Sequence, residues 1–199
     1  MNGVRTLLVF LDGFALVFFV LAGVAQFVLL ASATRGVRDR LISSRRSIGL
    51  DPQSSPLSPR VSILVPARNE DHVIVETVQA LLTMEYSNLE VIVVNAGSTD
   101  ATLDVLIAAF RLATVERPVG SGDATASIRG VLAGAEFPDL LVVDAQDIGR
   151  AGALNAGLSL AGGELVCVID ADTIIEPRAI GLLVQPFLDD DDVVAAGGT

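Results

Sequence analysis

The sequence predicts an α/β fold, a parallel sheet with helices on both faces, preceded by one membrane helix. Three observations predict it. Short runs dominated by Val, Ile and Leu, such as 61–65 and 89–94, read as strands buried on both faces. They alternate with helical stretches, the pattern of right-handed strand–helix–strand crossovers. The apolar excess (51% hydrophobic, mean hydropathy +0.60) sits mostly in the first 34 of 199 residues.

Residues 1–12 form a short N-terminal segment. Residues 13–34 are 22 in a row without a charge. As a helix at ~1.5 Å per residue they would reach about one hydrocarbon core. Arg5 precedes this run; Arg35, Arg38, Arg40, Arg45 and Arg46 follow it, opposed only by Asp39. The positive-inside bias then places the C-terminal part in the cytoplasm, in a single-pass cell-membrane protein. Ala31-Ser32-Ala33 imitates a signal-peptide cleavage site, but the apolar run exceeds the usual ~7–15 residues. Residues 35–60 read as a basic juxtamembrane segment, either interfacial or solvated, running into a Pro/Ser linker from Asp51 to Arg60.

The globular part, 61–199, carries six Arg against 21 acids and the chain contains no Lys. So acidic a domain is a poor partner for nucleic acid, whose phosphates are held by basic clusters. A small anion remains compatible if a divalent cation supplies the positive charge. The lone Cys167 excludes a disulfide within one chain and reads as a buried thiol. Strands are expected at 61–65, 89–94, 113–119, 140–143 and 164–169, and a further one at 193–196. Helices are expected at 71–84, 101–112, 149–160 and 177–188. Residues 120–136 break the rhythm and read as a loop with a short helix.

In an open α/β sheet the ligand crevice lies beyond the carboxyl ends of the strands. Four polar clusters each follow a strand: Pro66 to Glu70, Asn95 to Asp100, Asp144 to Arg150, and Asp170-Ala171-Asp172. Their convergence argues for a site more than any single cluster does. In an extended segment Asp170 and Asp172 would point the same way, toward one point. Two such carboxylates repel unless a hard cation joins them, and Mg²⁺ or Mn²⁺ suits a site that also takes diphosphate oxygens. A solvated turn is the alternative for that pair alone. Gly97 to Asp100 reads equally as helix capping or as a turn offering N–H groups and Asn95 to a nucleoside. Arg150 opens a helix rich in small residues, where it could meet a phosphate. With His72 the only histidine, a histidine-based metal site is excluded, and no phosphate-loop motif occurs.

The segments 61–70 (VSILVPARNE), 91–100 (VIVVNAGSTD), 149–158 (GRAGALNAGL) and 168–173 (VIDADT) resemble the family 2 glycosyltransferases, in order and spacing, across all of 61–199. The membrane span is similar to that of the processive polysaccharide synthases of the family. The resemblance implies a GT-A fold, a Rossmann-like sheet that binds a nucleotide-sugar. It further implies a UDP-sugar donor, Mg²⁺ or Mn²⁺, and inverting transfer to a polysaccharide or lipid-linked acceptor. By position, Asp170 and Asp172 would bind metal and diphosphate. Pro66, Arg68, Glu70 and Asn95 would line the nucleoside pocket, and Arg150 would lie near the phosphates.

Three departures stand out. Ala96 replaces a usual Asp that contacts the nucleoside, and Arg150 replaces a usual Lys. The sequence also ends at Thr199, before the family's acceptor half, so the catalytic base is expected beyond Thr199 and the domain is expected to be incomplete. The alternative reading is a fragment or donor-binding subunit completed by a second polypeptide. A haloacid-dehalogenase-like phosphatase also places Asp-x-Asp after an apolar strand, but it needs a Lys, which this sequence lacks, and acids well downstream, where only 27 residues follow Asp172.

Overall fold

Val, Ile and Leu at consecutive positions of 63–65 and 91–94 can be buried only inside a sheet covered on both sides, and the computed structural model builds that sheet. It describes residues 13, 16, 18–24, 26, 58–116, 127–190 and 192–198. Six strands, β1 (Val61–Ala67), β2 (Leu89–Ala96), β3 (Ala113–Val115), β4 (Ile128–Gly134), β5 (Phe137–Ala145) and β6 (Leu165–Val168), lie in the order β3-β4-β5-β2-β1-β6. β1, β2, β5 and β6 are mutually parallel, with Ala67 opposite Asn95, Asn95 opposite Asp144 and Leu64 opposite Val168.

Side-chain parity divides the core into two layers. Val61, Ile63, Val65, Val91, Val93, Leu140 and Val142 face helices α1 (Ile74–Leu82), α2 (Thr102–Phe110) and α4 (Ala179–Asp189). In α1 the buried positions Ile74, Thr77, Val78 and Leu81 follow helical spacing, so one stripe meets the sheet. On the other face Leu64, Ile92, Val94, Ala96, Leu141 and Val143 meet α3 (Gly149–Leu158) through Ala153 and Ala156. A Cβ on Gly157 would lie 3.1 Å from Leu64 and 3.2 Å from Val94, so the small residues of α3 set its close approach to the sheet. Helices therefore cover both faces, as expected.

The sheet is mixed rather than wholly parallel. Within 120–136, expected to be a loop with a short helix, β4 runs antiparallel to both β5 and β3. Two glycines weaken the strand signal of β4, yet Gly134 is required by packing: a Cβ there would meet the Phe110 carbonyl at 2.6 Å. Residues 120–126 of that stretch, with 117–119 before it, lie outside the described residues. The strand expected at 193–196 is not formed; 193–198 has no regular structure.

The N-terminal unit, residues 1–50, separates from 51–199. Of the expected membrane helix 13–34, residues 13, 16, 18–24 and 26 are helical and exposed, with Phe18 and Phe19 in edge-to-face contact at 5.8 Å. The rest of that span, together with 1–12 and 35–57, lies outside the described residues. Among the described residues no helix is long and apolar enough to cross a membrane.

Candidate functional site

Because β1, β2, β5 and β6 are parallel, their carboxyl ends share one edge of the sheet. The chain moves from β1 to β2 on one side and returns to β6 on the other, which makes the β1/β6 boundary a topological switch point, where such sheets bind ligands. All four polar clusters seen in the sequence leave from that edge.

The loops after β1 and β2 lock together. Asn69, in a left-handed conformation at φ 58°, donates its N–H to Ser98 Oγ (3.0 Å) and accepts the Thr99 N–H on Oδ1 (2.8 Å). Glu70 N–H donates to Thr102 Oγ1 at 2.8 Å. Asp100 accepts the Thr102 N–H at 3.0 Å and its hydroxyl at 2.5 Å, opening α2. Desolvation raises the Asp100 carboxyl, but the Thr102 hydrogen bonds and the Asp71 N–H outweigh it and hold the group below the usual carboxylate range. The polar groups of 98–102 thus close the two loops on each other at the start of α2, whose N-cap Ala101 carries no side-chain cap.

Two ion pairs bridge the strand exits. Arg68 Nη2 lies 2.6 Å from Asp147 Oδ2, joining the exits of β1 and β5, with both side chains about half exposed. Arg150 Nη1, in the first turn of α3, lies 2.5 Å from Asp170 Oδ1 beyond β6. That close contact is ionic without hydrogen-bond alignment, so buried Asp170 Oδ1 has no hydrogen-bond partner. Gly97, at φ 67°, makes a further junction: a Cβ there would fall 2.6 Å from the Asp147 backbone N. Only glycine lets the β2 exit touch the β5–α3 loop.

The carboxylate pair differs in geometry from the expectation. β6 ends at Val168, and Asp170 to Thr173 is a turn closed by the Thr173 N–H on the Asp170 carbonyl at 3.0 Å. The two Asp therefore flank a turn rather than one face of an extended strand. Its central Ala171 carbonyl accepts the buried Thr77 hydroxyl at 2.6 Å, which ties the turn to α1. A threonine on the apolar stripe of α1 was the legible signal for this tether. Among the described residues no group of three or more His, Cys, Asp or Glu could hold a metal. Two carboxylates nonetheless fit Mg²⁺ or Mn²⁺, which commonly take one or two and complete their shell with water and phosphate oxygens. The unsatisfied Asp170 Oδ1 is consistent with that fit.

Asn95 departs from the expected role. It is 2% exposed, its Nδ2 donates to Asp144 Oδ1 at 2.9 Å, and it shares the α1/α2 face with Val91 and Val93. It braces β2 against β5 rather than lining the crevice, and Arg129 of β4 reaches the same Asp144 at 3.5 Å. Ala96 packs in the apolar layer under α3. Pro66 and Glu70 are half-buried, Arg68 and Asp172 exposed. Asp147 and Thr77 are the site residues that motif reading did not single out. Cys167 is part-buried, and burial pushes its thiol up. A separate cavity of about 480 Å³ flanks the open edge of β6, lined by Val61, Leu165, Cys167, Leu183, Phe187 and neighbours.

The family model described as Glycosyl transferase family 2 matches residues 62–136 and 120–199. A Bacillus subtilis (strain 168) protein named probable glycosyltransferase YdaM is 30% identical over 147 residues, covering 70% of this chain and 29% of that protein. The poly-beta-1,6-N-acetyl-D-glucosamine synthase of Staphylococcus aureus (strain COL) is 27% identical over 139 residues, covering 69% of this chain and 28% of the synthase. Among solved structures, the mannosyltransferase PcManGT from Pyrobaculum calidifontis, in complex with GDP-Man and Mn²⁺, superposes with a TM-score of 0.53 at 25% identity. That match covers 83% of this chain and 44% of the mannosyltransferase. The chain thus spans less than half the length of each of these relatives.

Proposed function

The chain belongs to glycosyl transferase family 2, and from that premise we propose that its strand-exit edge binds a nucleoside-diphosphate sugar, a UDP-sugar, for inverting transfer to a polysaccharide or lipid-linked acceptor. Asp170 and Asp172 would hold Mg²⁺ or Mn²⁺ there. Pro66, Arg68 and Glu70 would border the nucleoside, and Arg150 would face the diphosphate. The membrane helix would anchor the chain with the domain on the cytoplasmic side. None of the described residues is assigned as the base for the acceptor hydroxyl.

One observation carries the reading: Arg150 meets Asp170 at 2.5 Å beyond β6 at the switch point, with Asp170 Oδ1 lacking a hydrogen bond and exposed Asp172 two residues on in the same turn. Arg150 stands in the first turn of α3, where backbone N–H groups and the helix dipole favour a phosphate, and its guanidinium adds charge-assisted bonds. When bound, the cation would stabilise the leaving diphosphate. The likeness to a mannosyltransferase holding GDP-Man and Mn²⁺ supports a nucleotide-sugar and a divalent cation.

Calorimetry on the full chain in detergent tests this. UDP should bind with Mn²⁺ present and lose at least about tenfold in affinity, ~1.4 kcal/mol, in Asp172→Asn or with chelator. Equal affinity with chelator removes Asp172 from a metal role. No binding of any nucleoside diphosphate overturns the reading itself.

A further inference from the structure

We infer that Asp147 determines nucleobase specificity, its carboxylate accepting a ring N–H that stands beside a carbonyl, as in uracil N3–H or guanine N1–H. This rests on the nucleotide-sugar reading above and deepens it.

A base recognised at the exit of β2 needs a hydrogen-bond acceptor there, and the strand itself offers no solvent-facing side-chain acceptor. Ala96 has no polar atom and packs under α3. Asn95 is turned to the opposite face, its Nδ2 on Asp144 and its Oδ1 unbonded but sealed from solvent. Asp100 is consumed by Thr102 and Asp71. Asp144 stands opposite Asn95 but is bonded by Asn95 and Arg129, and the fold brings in another carboxylate: the Gly97 contact seats Asp147 against the β2 exit, its backbone N 2.6 Å from where a Cβ would stand.

The side chain is equipped for the task. Arg68 engages Oδ2 at 2.6 Å, and among the described residues no other group bonds this carboxylate. An ionised carboxylate has about four lone-pair sites, so Oδ1 keeps its capacity to accept. Arg68 beside it is a donor for the carbonyl that flanks the ring N–H. Acceptor and donor side by side match the N–H and C=O of uracil or guanine. Cytosine and adenine present a ring nitrogen lone pair at that position, which the carboxylate repels, so the pair discriminates as well as binds. An exposed ion pair adds little to a fold, so Asp147 can be replaced without unfolding the domain.

The experiment is calorimetry on the full chain in detergent with Mn²⁺, using UDP, GDP, CDP, ADP and the base-methylated probes N3-methyl-UDP and N1-methyl-GDP. Wild type should prefer UDP or GDP over CDP and ADP by about 10- to 100-fold, the worth of one hydrogen bond to a charged group. Methylation should erase that preference. Asp147→Ala, checked by an unchanged melting temperature, should lose the preference and suffer no further penalty from methylation. Retention of both preference and methylation penalty in Asp147→Ala overturns the inference and leaves the nucleotide reading standing, as does a wild-type preference for CDP or ADP. Binding of none of the six probes by wild type overturns both.

Discussion

Replacing Thr77 by valine should loosen the carboxylate turn without touching either carboxylate. The Thr77 hydroxyl donates to the Ala171 carbonyl at 2.6 Å, and both residues are buried. Valine keeps the shape and removes the bond. A buried hydrogen bond is worth about 0.5–1.5 kcal/mol net, and a carbonyl left unsatisfied costs about 1–3 kcal/mol. A total of about 1–3 kcal/mol, at roughly 2–4 °C per kcal/mol for a domain near this size, lowers the melting temperature by roughly 2–12 °C. The functional effect is separate. Asp170 and Asp172 flank Ala171, so freeing its carbonyl lets their spacing drift. Loss of a partner that orients metal ligands typically costs about 10–100-fold in metal affinity. Titrating Mn²⁺ by electron paramagnetic resonance, with UDP saturating, reads this directly. Thr77→Ser keeps the hydroxyl and should restore Mn²⁺ affinity. Wild-type Mn²⁺ affinity in Thr77→Val, with only the melting temperature lowered, would refute a positioning role and leave Thr77 a structural residue.

Three further outcomes are expected. Glu90, buried at the amino edge of the sheet, accepts from Arg60 (2.8 Å), Ser62 (2.5 Å) and the Gly162 N–H (2.6 Å). Glu90→Gln turns an amide toward half-exposed Arg60 and should cost about 1–2 kcal/mol in urea unfolding, the low end for a charged hydrogen bond; an unmoved midpoint contradicts it. Asp100, whose folded pKa is lowered, contributes stability that is present above the unfolded carboxylate range and is lost as pH falls through the lower folded value. Wild type should therefore lose melting temperature on acidification faster than Asp100→Asn, and parallel curves would exclude the effect. A reporter fused after Thr199 should be active as a cytoplasmic type and silent as an export-dependent type; the reverse pattern sinks the proposed topology.

The parallel core was legible because each strand of it is dominated by Val, Ile and Leu, and burial on both faces demands that composition. The shared ligand edge followed, since parallel strands end together. β4 was not legible, because Arg129, Gly130 and Gly134 dilute its apolar residues; its glycines answer to Phe110 packing, a contact remote in sequence. Asn95 could have been placed by parity, because it shares a face with Val91 and Val93 rather than with Ala96. The Asp170–Thr173 turn needed coordinates, since i, i+2 carboxylates fit a strand and a turn alike. The Asp147 contact needed them too, because it is made through a glycine with φ 67° fifty residues earlier in the chain.

The two ends of one sheet show why the carboxyl edge, and not the cavity beside β6, is the candidate site. At the amino edge Glu90 is nearly sealed from solvent and both its oxygens are bonded, so its charge is spent on the fold. The cavity along β6 is mostly apolar, and Glu164 is its one ionisable acid. A nucleoside diphosphate would find there neither cation nor paired acceptor, whatever the volume. At the carboxyl edge the charges are of another kind. Arg68 and Asp147, and Arg150 and Asp170, are paired yet about half exposed, so a ligand can exchange with them without first desolvating them. Asp170 Oδ1 is held by the Arg150 ion pair alone, and Asp172 stands in solvent. Polar groups whose bonds are complete stabilise a structure; those held in place with capacity left over are the ones available to a ligand.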